Sequence, residues 1–136
     1  MFDRDLAATL LARARAAAAR AYAPYSNFPV GAAILTADGS IFEGANVENA
    51  SYPVTMCAER TAAAAAVYAG QRVFRAVAVS APRAPGATPC GACRQLLNEF
   101  KPASGELIVI LDGPNGPEQM PFSALLPRAF GPHDLG

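Results

Sequence analysis

The chain has almost no charge imbalance to offer a partner. Its 11 basic and 11 acidic residues cancel over 136 residues, and Lys101 is the single lysine. No stretch gathers Lys and Arg into a patch. A protein that binds a nucleic-acid polymer draws most of its affinity from phosphate neutralisation, so the expected partner is a small molecule and not a polymer. No segment is long and apolar enough to span a bilayer, which argues against a membrane partner. The opening Met1-Phe2-Asp3-Arg4-Asp5 carries charges where a signal peptide needs an apolar stretch. Cysteine is scarce as well. Three thiols cannot all pair within one chain, and their spacing is not that of a secreted disulfide framework. These absences together point to a cytoplasmic protein.

What is present is apolar. Hydrophobic residues make up 52% of the chain and charged residues 16%, a composition that excludes global disorder. The length suits one domain over residues 1–136 with a real core. Mean hydropathy is positive without a transmembrane run, which suggests apolar surface buried between subunits.

The pattern predicts alternating elements. Residues from Asp3 to Tyr22 read as a helix, with Leu6, Leu10 and a series of alanines at helical spacing, stopped by Pro24. Pro29 to Thr36 and Ile41 to Val47 read as a hairpin around Asp38-Gly39. Asn49 to Thr55 reads as loop. A second helix is expected over Cys57 to Tyr68, ended by Gly70, then a central strand from Val73 to Ala81 that is apolar on both faces. A Pro-Gly-rich loop follows from Pro82 to Pro89. Cys90 to Phe100 reads as a third helix and Glu106 to Asp112 as a further strand, before a tail with one apolar turn at Ser123 to Leu126. This order implies an α/β fold in which helices cover a mixed sheet.

All three cysteines stand where a helix begins. Cys57-Ala58-Glu59 opens one helix, and Pro89-Cys90-Gly91-Ala92-Cys93 opens another, with 32 residues between Cys57 and Cys90. Cys90 and Cys93 are three apart and share a helical face. The positive end of a helix dipole favours thiolate over thiol. Two such ends facing each other would gather three thiolates around one cation, and zinc fits best. Three protein ligands mark a catalytic zinc, whereas a structural site, as in a zinc module for protein interaction, is closed by four. The sole histidine, His133, stands in a Gly-Pro-flanked tail without ligand spacing to anything and reads as a solvated residue. Glu59, two residues past the first ligand, can serve the helix dipole as a first-turn acid. Beside a catalytic zinc, the same carboxylate can shuttle protons as a general acid and base. Arg60 and Arg94 each follow a ligand by one position or lie three beyond it. They are expected to hydrogen-bond the sulfurs and drain their negative charge.

Through these motifs the sequence resembles the small cytidine deaminases with a three-cysteine zinc site. Zinc deaminases as a class pair such ligands with a Glu that is not itself a ligand. The resemblance runs through Tyr25-Ser26-Asn27-Phe28-Pro29-Val30-Gly31-Ala32-Ala33, Asn46-Val47-Glu48-Asn49-Ala50-Ser51-Tyr52, Cys57-Ala58-Glu59-Arg60-Thr61-Ala62, Pro89-Cys90-Gly91-Ala92-Cys93-Arg94-Gln95 and Leu125-Leu126-Pro127-Arg128-Ala129-Phe130. It implies a three-layer α/β/α sandwich, one zinc per chain on Cys57, Cys90 and Cys93, and Glu59 as the catalytic acid and base. By the same similarity, Asn46 and Glu48 grip the sugar, Phe28 stacks on the pyrimidine, and Tyr52 closes the sugar side. The Ala58 N–H and the Thr88 carbonyl read the base edge. Phe130 covers the pocket, in this family often from a neighbouring subunit of a homotetramer.

The implied reaction is hydrolytic deamination of free cytidine or 2′-deoxycytidine to the uridine counterpart and ammonia, a step of pyrimidine salvage. A deaminase for a nucleoside-like antibiotic such as blasticidin S shares the metal motif and is the alternative. The Asn46/Glu48 pair favours an ordinary ribose.

Overall fold

A computed structural model describes residues 2–136 of the chain. Helix α1 (Arg4–Ala18) starts on Asp3, whose carboxylate accepts the Asp5 N–H. It ends four residues before Tyr22, the expected end, because pairing elsewhere claims that residue. The Tyr22 N–H donates to the Asn46 carbonyl, and the Tyr22 carbonyl accepts from the Glu48 N–H. A tertiary bridge here overrides the helical periodicity that runs on to Tyr22.

Strands β1 (Gly31–Thr36) and β2 (Ile41–Ala45) form the expected antiparallel hairpin. Its turn places Gly39 at φ 90°, and the Asp38 carboxylate accepts from the Ser40 N–H and the Thr36 hydroxyl. Helix α2 (Ala58–Tyr68) follows, with Cys57 as N-cap and Gly70 in the left-handed region beyond Ala69. Next come β3 (Phe74–Ser80), α3 (Gly91–Glu99) with Cys90 as N-cap, and β4 (Ile108–Gly113), parallel to β3. The segments 52–54 and 122–124 are short 3₁₀ turns.

A fifth strand, β5 (Gly116–Pro121), pairs antiparallel with β4 and was not expected from the sequence. Gly-Pro-Glu-Gln-Met-Pro lacks β-branched residues and carries two prolines. Such a sequence is tolerated as a strand only at a sheet edge, and the sheet order β2-β1-β3-β4-β5 puts it there.

Side-chain alternation divides the core between the two faces. Ala33, Leu35, Ala76, Ala78, Ile108 and Ile110 face α1 through Leu10, Leu11 and Ala14. Ile34, Val77, Val79, Val109 and Leu111 face the other way, against the alanines of α2 and Leu97 of α3. The result is the three-layer α/β/α sandwich, with the two cysteine-bearing helices on one face of a mixed sheet. Small residues allow α2 to lie close. A Cβ on Gly44 of β2 would run into the Thr61 hydroxyl and the backbone of Ala58 and Ala62. The start of α2 is thereby pressed onto the sheet, and a second fixture holds its approach. Val47 and Met56 exchange backbone hydrogen bonds at 2.9 Å each, one residue before Cys57.

Candidate metal centre and substrate cleft

The N-termini of α2 and α3 bring the three cysteines together. Their sulfurs all lie within 4.8 Å of one another, and Cys57 Sγ stands 4.0 Å from Cys90 Sγ. A tetrahedral zinc with Zn–S bonds of about 2.3 Å spaces its sulfurs about 3.8 Å apart, so the donor set fits that ion. No disulfide competes for them, since all three cysteines are free.

The thiols also show why a cation belongs here. Burial pushes the Cys57 thiol above its ordinary value. Cys93 is driven far up, by burial first and then by the charges of Glu59 and Cys57. Burial acts upward on Cys90 too, but the Cys93 N–H, the neighbouring thiols and the Ala92 N–H outweigh it, and its net direction is down. Left to themselves the three sulfurs would not all ionise. Metal binding supplies the compensation, and ligand deprotonation is coupled to it.

Glu59 lies in the first turn of α2 and is only 4% exposed. Burial raises its carboxyl above the usual carboxylate range, against smaller downward pulls from its own N–H and the Cys93 thiol. A carboxyl that holds a proton more readily is suited to both accepting and returning one. The Ala58 N–H, at the same helix start, has no backbone acceptor among the described residues, so it is available to a ligand.

Cys57, Glu59 and Cys90 open onto a cleft of about 220 Å³ whose other walls include Phe28, Asn46 and Thr88. Val79 and Ala81, at the end of β3, form its apolar floor. Glu48 and Tyr52 lie outside it, in a shallower hollow with Tyr25 and Ser26; Thr55 lines both spaces. β2 stops at Ala45, but the chain stays extended through Val47, which bridges to Tyr22 and Met56. Asn46 lines the cleft and Glu48 the neighbouring hollow.

Both side chains also grip the loop that presents Phe28. The Asn46 amide donates to the Phe28 carbonyl and accepts from the Val30 N–H, each at 2.9 Å. The Glu48 carboxylate accepts from the Tyr25 N–H at 2.9 Å, the Ser26 N–H at 3.1 Å and the Ser26 hydroxyl. Ser26 in turn accepts the Phe28 N–H at 3.0 Å. The sequence reading gave Ser26 no role. Its place in a Tyr-Ser-Asn-Phe loop was the available signal, since Ser in such loops commonly bonds backbone two residues on.

The arginines depart from expectation. Among the described residues, neither guanidinium hydrogen-bonds a cysteine sulfur. Arg60 reaches the Met56 thioether at 3.7 Å. Arg94 donates to the Pro89 carbonyl, the Leu125 carbonyl and the Thr88 hydroxyl. Its three guanidinium nitrogens are taken up by acceptors of the loop and the tail and not by the sulfurs. Phe130 does not line the cleft of its own chain. Its ring is 59% exposed, while its carbonyl accepts from Gln95 and Asn98. His133 stands in the tail, 3.3 Å from Asp134 and away from the sulfurs.

Three sulfurs at zinc spacing and a buried carboxyl on one apolar cleft define a zinc-dependent hydrolytic enzyme. Similarity to known proteins narrows the class. The family model for the cytidine and deoxycytidylate deaminase zinc-binding region matches residues 5–109, and the chain belongs to that family. It is 47% identical over 127 residues to a cytidine deaminase of Sporosarcina psychrophila, covering 93% of this chain and 92% of that protein. It is 42% identical over 126 residues to the Mycobacterium tuberculosis cytidine deaminase, covering 93% and 90%. The crystal structure of the cytidine deaminase from Burkholderia pseudomallei matches with a TM-score of 0.83 at 44% identity, over 95% of this chain and 100% of that one.

Proposed function

We propose that the chain hydrolyses the exocyclic amine of free cytidine and 2′-deoxycytidine, releasing ammonia, with Cys57, Cys90 and Cys93 holding zinc and Glu59 moving the protons. The observation that carries this reading is the buried Glu59 carboxyl at the same cleft as the sulfurs. Zinc supplies Lewis-acid activation of a water there. Glu59 accepts a proton from the attacking water and passes it to ring N3; it then takes the remaining proton of the new C4 hydroxyl and passes it to the amine, so that the C4 carbonyl forms as the C4–N bond breaks and ammonia leaves. Phe28 stacks on the ring, and the Ala58 N–H and Thr88 carbonyl meet its polar edge. Asn46, Glu48 and Tyr52 meet the sugar, a reading supported by the joining of the cleft to their hollow at Thr55.

The substrate is a nucleoside and not a nucleotide or polymer. Neither the cleft nor the hollow is lined by a Lys or Arg among the described residues. Arg94 is committed to backbone and hydroxyl oxygens, and Arg83 donates to the Asn27 carbonyl. A 5′-phosphate would meet Glu48 with no basic side chain lining the hollow to offset its charge. The deciding measurement is kcat/KM for cytidine, deoxycytidine, CMP and a single-stranded oligonucleotide. High values for the first two only support the assignment; a match by CMP or the oligonucleotide removes it and leaves the deaminase chemistry.

Residues 1–136 act as one deaminase domain, a reading supported by two core clusters that share a single sheet. The assembly is a homotetramer in which Phe130 completes a neighbour's cleft. Its exposed ring and the exposed Tyr22, Tyr25, Tyr52 and Val54 favour this. No helix of the described residues is long and apolar enough to cross a membrane, and we place the enzyme in the cytoplasm. Light scattering that finds an active monomer would sink the tetramer.

A further inference from the structure

Arg94 follows the buried ligand Cys93, and its guanidinium spans three oxygens from two separate stretches of irregular chain. Nε donates to the Pro89 carbonyl at 2.7 Å, Nη1 to the Leu125 carbonyl at 2.8 Å, and Nη2 to the Thr88 hydroxyl at 2.8 Å. Thr88 and Pro89 close the loop between β3 and α3, and Leu125 belongs to the tail. Upstream of Thr88 the loop is held by turns at Ala84 and Ala87, by the Gly86 N–H on the Asp112 carbonyl and by the Arg83 guanidinium on the Asn27 carbonyl. From Thr88 onward the wall of the cleft is fixed by Arg94.

We infer that Arg94 is a positioning residue for substrate, fastening the Thr88–Cys90 wall to the tail at Leu125 through the shape of its guanidinium and not through its charge. The inference rests on the reading that the Thr88 carbonyl meets the base. Three acceptors around one planar fork match arginine and not lysine, whose ammonium is a point donor on a flexible stem. Charge is not what the contacts use: none of the three acceptors is a carboxylate or a thiolate. When the fork is lost, Cys90 stays tethered through the metal and the start of α3. Thr88 has no such tether, and its carbonyl loses register with the base. Substrate binding then suffers more than turnover.

The same helix holds the far end of the tail. Gln95 and Asn98 donate to the Phe130 carbonyl at 2.8 and 3.1 Å. With Leu125 on Arg94, the tail from 125 to 130 is anchored to α3 at both ends. The loop wall and the tail therefore move with α3 as one body.

The test compares Arg94→Lys with Arg94→Gln in the full-length zinc enzyme, measuring kcat, KM for cytidine, zinc per chain, thermal stability and the pH profile of kcat/KM. Both variants are expected to raise KM about tenfold or more, the worth of one or two lost hydrogen bonds at about 1 kcal/mol each. Zinc should stay at one per chain, with kcat falling less than KM rises and the pH profile unmoved. Thr88→Val, a milder change that guards against misfolding of the arginine variants, should raise KM in the same direction and add little on top of Arg94→Lys. Near-parental Arg94→Lys beside a defective Arg94→Gln overturns the inference in favour of a charge role. Unchanged KM in all three variants overturns it as well. A parent enzyme inactive on cytidine overturns the proposed function and this inference together, whereas an active parent with unaffected variants overturns this inference alone.

Discussion

Replacing Glu59 by Gln separates proton transfer from everything else the residue does. The side chain is 4% exposed in the first turn of α2, between the cysteine ring and the cleft. Gln matches it in volume, so packing is retained, and the three sulfurs, carried by the starts of α2 and α3, are expected to keep the metal. What Gln cannot do is accept a proton from water and pass it on. A positioned general acid and base is worth about 10²–10⁴ in rate, roughly 3–5.5 kcal/mol of barrier. Because Glu59 serves successive transfers, and the rate follows the highest barrier, the losses do not multiply. The expected kcat is therefore down by about 10²–10⁴, with one zinc per chain. Cytidine loss can be followed by ultraviolet absorbance, zinc by atomic emission, and folding by a thermal melt. A fully metallated, folded variant that keeps turnover within about tenfold of the parent would refute the shuttle.

Gly44→Ala should destabilise the fold by about 1–3 kcal/mol, or roughly 4–12 °C in Tm, because the added methyl meets the backbone of Ala58 and Ala62 at the start of α2. An unchanged melt would contradict the close approach. Arg128→Gly should raise stability by up to about 1 kcal/mol, since Arg128 is exposed and held at φ 54°; a lower Tm would show that its side chain makes contacts worth more than the strain. Asp112 is held below the ordinary carboxylate range by Arg15 first, with the Ser80 hydroxyl adding to it and burial opposing. Its folded pKa is thus depressed, so its stabilising effect is present above the unfolded value near 4 and is lost as pH falls through the folded one. Asp112→Asn should flatten the acid limb of Tm against pH, and a limb of unchanged slope would assign acid unfolding to other carboxyls.

The sequence revealed the site better than the periphery, and for physical reasons. Metal ligation restricts residue type so sharply that the spacing of Cys57, Cys90 and Cys93 marks a donor set, and their sulfurs do converge; α2 and α3 begin within a residue of where the cysteines imply. The hairpin was marked by Asp38-Gly39, a turn whose backbone needs few alternatives. β5 was invisible because an edge strand needs no hydrophobic alternation. The partners of Arg60 and Arg94 were misread for a different reason. Sequence adjacency to a ligand says nothing about where a long side chain ends, and an irregular loop with spare carbonyls offered Arg94 better geometry than the sulfurs. The double use of Asn46 and Glu48, holding the Phe28 loop beside the cleft, likewise depends on a fold that brings residues 25–30 across to 46–48.

Topology explains why the chemistry sits where it does. α2 leads into β3 through the turn at Gly70, and α3 follows β3 through the loop 82–89 before β4 runs parallel to it. Both helices pack on the same face. A helix that precedes a strand and packs back along it begins at the strand's carboxyl end, and so does a helix that follows the strand. The two N-termini must therefore meet at one edge of the sheet, where open α/β sheets bind their ligands. Their dipoles add there and act toward thiolate, against the burial that raises the Cys57 thiol. The end of β3, at Val79 and Ala81, supplies the apolar floor. α1 lies on the opposite face and reaches none of this. The remaining walls come from segments that cross the same edge: 24–30 and 46–56, cross-linked by Asn46 and Glu48, and the end of loop 82–89 at Ala87 and Thr88. A cleft built this way has a metal end fixed by two helices, and loops make the rest of its rim. Changes in nucleoside preference should accordingly arise in the loops 24–30 and 46–56, while the cysteines and Glu59 stay unchanged.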